Sequence, residues 1–91
     1  MYGFDDDRLL TKRELEVLVC LHEGISNPKI AKRLCITVHT VKAHLSKIFH
    51  KLGAKDRVET LLMLLGEKEI PNNDVKKQIM SLNIKEFAKI K

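Results

Sequence analysis

The chain has 91 residues and a net charge of +5, with 44% hydrophobic and 32% charged residues. That is enough chain for one helical core, and too much hydrophobic content for general disorder. The longest apolar runs, residues 17–21 and 61–65, are five residues each and too short to cross a bilayer. No signal-peptide pattern precedes them and two cysteines make no disulfide framework, so the cytoplasm is the expected compartment, with no membrane partner.

Residues 1–9, with Asp5, Asp6 and Asp7 in succession, read as a flexible, solvated N-terminal segment, since no further ligands accompany the three carboxylates. Thr11 and Glu14 form a capping box and predict a helix running to about Glu23, ended by Gly24, with Leu15, Leu18, Val19, Cys20 and Leu21 turned inward. Cys20 reads as a small core residue. Neither Cys20 with His22 nor Cys35 with His39 has the spacing of a zinc site, and no cofactor is expected. A second helix opens at Ser26 or Asn27, with Pro28 in the first turn, where its missing N–H costs nothing. Ile30, Ala31 and Leu34 form its inner face and Lys29, Lys32 and Arg33 its outer one; it stops near Cys35, and Ile36 fills the turn.

Thr37 caps a third helix that closes at Gly53. Val41, Leu45, Ile48, Phe49 and Leu52 make a single apolar stripe at helical period. The opposite face carries His39, Ala43, Ser46 and His50, flanked by Lys42 and Lys47: small, basic, hydrogen-bonding side chains without an acid. A helix with that front suits the major groove of DNA. The charge pattern points the same way. Residues 1–25 hold three bases and six acids, residues 26–53 six bases and no acid, and residues 54–91 eight bases and six acids. A basic patch confined to the middle third is the footprint of a polyanion partner. Two short helices joined by a turn of three or four residues are a helix-turn-helix unit.

A fourth helix starts around residues 55–57 and carries Val58, Leu61, Leu62 and Leu65, more apolar surface than one side of a small domain can cover. A turn at residues 71–74 precedes Val75, Ile79 and Leu82, then Ile84, Phe87 and Ile90. This spacing predicts a mostly helical stretch over residues 74–90 with Phe87 buried, docked on the domain's own helices, on a second subunit or on a further domain, the first two being favoured because its outer face is dressed with lysines.

The segments Leu10-Thr11-Lys12-Arg13-Glu14-Leu15-Glu16-Val17-Leu18, Gly24-Ile25-Ser26-Asn27-Pro28-Lys29-Ile30-Ala31, Thr40-Val41-Lys42-Ala43-His44 and Lys51-Leu52-Gly53 together resemble the LuxR/FixJ (GerE-like) helix-turn-helix domain over residues 10–65. The resemblance implies an all-α, four-helix domain at residues 10–66, with residues 67–91 a helical C-terminal extension outside the family pattern. It further implies a sequence-specific transcription regulator that binds double-stranded DNA as a homodimer, with RNA polymerase a further expected partner and no enzymatic activity. By position, Lys42 and Ala43 are expected to face bases, and His39 and Ser46 join them on the same helix front. Thr40, Lys29 and Lys47 are expected by position to contact phosphates, as are Ser26, Asn27 and Thr37 at the helix starts, and Val58, Leu61, Leu62 and Leu65 of the fourth helix to form the dimer interface. Two departures stand out: Ser46 is shorter than the residue the family often has there, and Pro28 replaces a more usual basic residue. The rival reading is a helix-turn-helix reused for protein binding, which would not require the acid-free stretch 26–53. Ser46, His44 and the cysteines make no nucleophile–base set on one face.

Overall fold

The computed structural model describes residues 9–82. Five helices follow one another: α1 (Lys12–His22), α2 (Asn27–Leu34), α3 (Val38–Leu52), α4 (Arg57–Leu64) and α5 (Asn73–Leu82). Among the described residues there is no strand and no helix long and apolar enough to cross a membrane.

The capping box expected at the start of α1 is present. The Glu14 N–H donates to Thr11 Oγ1 at 3.1 Å, and the Thr11 N–H donates to Glu14 Oε1 at 2.9 Å. Gly24, at φ +80°, turns the chain out of the helix. The apolar run 17–21 is buried along its whole length because α2, α3 and α4 all pack on α1. Val17 is therefore fully buried, whereas Leu15, expected inside, is half-buried at the edge of the core.

The α2–α3 turn is made by Cys35 in the left-handed region, at φ +59°, with the Ile36 N–H donating to the Ala31 carbonyl at 2.9 Å. Thr37 Oγ1 then accepts the Thr40 N–H at 3.1 Å and starts α3. The 15 residues of α3 end at Gly53, φ +78°. Val41, Leu45, Ile48 and Leu52 are buried, with Phe49 packed partly against them, as the stripe predicts. Asp56 caps α4 by accepting the Glu59 N–H at 2.9 Å, and Glu59 Oε1 accepts the Lys55 N–H at 2.7 Å.

Residues 67–82 share the core of the preceding helices. Ile70, Val75 and Ile79 are buried in the same cluster as Leu18, Ile48 and Leu52, and α5 packs on α3. Two polar ties reinforce the docking. Asn72 Nδ2 donates to the Lys51 carbonyl at 3.3 Å, and Gln78 both accepts the Leu10 N–H and donates to the Leu10 carbonyl, each at 2.9 Å. Leu82, expected on the inner face, is 48% exposed, like its neighbour Met80 at 68%. Val75 and Ile79 seat the first two turns, and the last turn of α5 runs past the core. The expected positions Ile84, Phe87 and Ile90 lie outside the described residues.

Candidate nucleic-acid interface

The front of α3 is built by elimination. Its back is held in the core, so His39, Lys42, Ala43, Ser46, Lys47 and His50 are left exposed along one side of a helix about 22 Å long. Every residue expected to face bases is on that side and exposed among the described residues. The start of α2 lies beside it: Asn27 shares a shallow hollow of about 370 Å³ with Lys42, Leu45, Ser46, Phe49 and Arg57.

The residues expected to contact phosphates divide into two groups. Ser26, Lys29, Thr37 and Lys47 are exposed. Thr40 is half-buried, and its hydroxyl oxygen accepts from the Thr37 hydroxyl at 3.0 Å. Asn27 is half-buried with its Oδ1 accepting from Arg57 NH1 at 2.9 Å, which leaves Nδ2 as its side-chain donor. Ser26 stands at the cap position of α2 but makes no side-chain capping bond.

The six bases of residues 26–53 are not equally available. Lys51 Nζ lies 2.8 Å from Glu14 Oε1, with both side chains nearly sealed from solvent. Arg33 NH1 lies 2.8 Å from Glu23 Oε1. Glu14 of α1 and Glu23 at its C-cap thus occupy two of the bases, while Lys29, Lys32, Lys42 and Lys47 are exposed and make no ion pair among the described residues. Burial by itself would push the Glu14 carboxyl up. The hydrogen bonds from Lys51 and the Thr11 backbone, with the charges of Lys51 and Lys47, outweigh it and hold Glu14 below its ordinary 4.5.

Two structural partnerships were not legible beforehand: Glu14 with Lys51, and Arg57 with the start of α2. Glu14 already had a local role as the capping acid, which hid its long-range one. Arg57 carried a usable signal. A cation in the first turn of a helix opposes the helix dipole, so Arg57 directly after the Asp56 cap calls for an acceptor elsewhere. It finds two, Asn27 Oδ1 and the Ile25 carbonyl, the latter at 2.6 Å from NH2. On α4 and its C-cap Leu65, Thr60, Met63 and Leu64 are buried and Leu61 half-buried, whereas Val58, Leu62 and Leu65 are exposed by 65%, 38% and 55%.

An exposed polar helix following a tight turn from a shorter one, both seated on α1, defines a helix-turn-helix domain. Residues 8–64 match the family model described as bacterial regulatory proteins, luxR family, and the chain belongs to that family. Its relatives include the nitrate/nitrite response regulator protein NarP of Escherichia coli (strain K12), 39% identical over 70 residues that cover 75% of this chain and 33% of the relative. The oxygen regulatory protein NreC of Staphylococcus aureus (strain JH9) is 41% identical over 64 residues, covering 70% of this chain and 30% of the relative. The chain thus spans about a third of the length of these curated relatives. No solved structure matches it significantly. The four helices α1–α4 are a LuxR-type helix-turn-helix DNA-binding domain, of the kind that serves as the output of response regulators.

Proposed function

We propose that this chain binds operator DNA as a homodimer and regulates transcription in the cytoplasm without catalysing a reaction. The front of α3 enters the major groove, where His39, Lys42, Ala43 and Ser46 meet base edges. Lys29, Lys47 and the helix starts at Ser26, Asn27, Thr37 and Thr40 set register on phosphates. The exposed side of α4, with Val58, Leu62 and Leu65 and the half-buried Leu61, is the two-fold contact. RNA polymerase would be met by surfaces left free in that complex. The observation that carries this reading is the combination on α3 of a back seated in the core and an exposed, acid-free front, with Lys42 and Lys47 on that helix and Lys29 on α2 exposed and making no ion pair among the described residues.

Selection from random duplex tests it directly. A selected site is expected, with affinity falling on the order of a hundredfold or more between about 50 and about 200 mM salt, because several lysines displace counterions. Lys42→Ala should lose about 1–3 kcal/mol on the selected site and much less on random duplex, since lysine can donate to guanine O6 and N7. Lys29→Ala should weaken both by similar factors. An unselective pool with flat salt dependence would refute the reading. An unchanged specificity ratio in Lys42→Ala would remove the base-reading role alone.

A further inference from the structure

The start of α2 is poorly secured by its own residues. Ser26 occupies the cap position without a side-chain capping bond, and Pro28 has no N–H to give. The lock comes from another helix. Arg57, the first residue of α4, donates from NH1 to Asn27 Oδ1 and from NH2 to the Ile25 carbonyl, so one guanidinium grips the chain on both sides of Ser26. Its planar fork turns a separate terminal nitrogen to each acceptor, a geometry the single ammonium nitrogen of a lysine does not reproduce. The same guanidinium lines the hollow that it shares with Lys42 and Ser46 on the front of α3.

We infer that Arg57 is a positioning residue for DNA binding: it braces the start of α2, so that Asn27 and Lys29 are held in register with the reading face of α3. This rests on the DNA-binding reading above. The two bonds commit one donor of each terminal nitrogen to the chain itself, and the double-variant measurement below separates bracing from any contact the remaining donors make with DNA. The brace also ties the DNA-facing end of α2 to the helix whose outer face carries Val58, Leu62 and Leu65. A change in how α4 is held would therefore be felt at the start of α2.

Two measurements on Arg57→Gln and Arg57→Lys test this. In the free protein, amide exchange at residues 25–30 is expected to quicken about tenfold in Arg57→Gln, as the loss of two charge-assisted bonds implies, while exchange in the middle of α3 stays unchanged. Arg57→Lys, which can keep one bond, should fall between. Equal exchange at residues 25–30 in wild type and both variants would overturn the brace, whatever the protein binds. On duplex selected by the wild type, Arg57→Gln should weaken binding about tenfold in the wild-type background and clearly less when Lys29→Ala is already present, because the Lys29 contact that the brace supports is then already gone. Fully additive losses would mean that Arg57 touches DNA independently or matters only for stability, and would overturn the positioning role. If Arg57→Gln fails to fold, Arg57→Lys carries both arms with smaller expected changes. If the wild type binds no duplex, the DNA reading fails, and the exchange experiment alone decides whether Arg57 braces α2.

Discussion

Lys51 sits one residue from the end of α3 and belongs to the acid-free stretch, yet it serves the core. Its ammonium is 2.8 Å from Glu14, which simultaneously completes the cap of α1. One carboxylate thus fastens the beginning of α1 to the far end of α3. Removing one partner of such a pair leaves a buried charge, so Lys51→Met is expected to cost about 3–5 kcal/mol. The linkage has a definite sign. Glu14 titrates below its ordinary 4.5 in the folded chain, so its contribution is complete above that pH and is lost as pH falls below it. Glu14→Gln should therefore melt well below wild type at pH 7, with the two melting curves converging in acid. A gap of the same size at pH 7 and pH 3 would show that the pair does not titrate as argued.

At the scale of elements, the starts and stops of the helices were plain in the residues. Thr11 with Glu14, Gly24, Thr37 and Gly53 each act locally, and local hydrogen bonding is what sequence reports best. Which side of α3 stays exposed was legible for the same reason, since burying Val41, Leu45, Ile48 and Leu52 dictates what stays outside. Pairings between distant residues were not legible. Nothing near Arg57 or Lys51 in the chain announces Ile25 or Glu14, because those partners depend on how helices cross. The sorting of α4 into covered and open sides falls between these cases. Its leucine surplus was visible, but only packing shows that Met63 and Leu64 go inward while Leu62 and Leu65 remain open. Placing a charge on the open side, by Leu62→Lys or Leu65→Lys, is expected to leave a folded monomer that binds a single half-site weakly. Sedimentation at unchanged mass for both variants would rule this side out as the two-fold contact.

For the whole molecule, the family match stops at residue 64, but the core does not. Ile70, Val75 and Ile79 are buried with the residues of α1 and α3, and each such side chain contributes about 1.5–3 kcal/mol through burial before the cost of ordering the segment is set against it. Cutting the chain after Gly66 should lower the melting temperature clearly while leaving the sequence preference of any surviving DNA binding intact, because the front of α3 is untouched. A truncated chain that melts like the full one would show that α5 adds nothing to the fold.

The paired hydrogen bonds between Gln78 and Leu10 close the described structure into a loop. They join residues 68 positions apart, and the end of α5 lies only one helical turn beyond Gln78. The two ends of the described chain therefore lie close together in space. A short bridge from the end of α5 to Leu9, with new termini opened in the exposed segment 66–69, should give a circular permutant that still melts cooperatively. In that rearranged molecule α5 would lead directly into α1, and the helix-turn-helix would sit in the middle of an otherwise continuous scaffold.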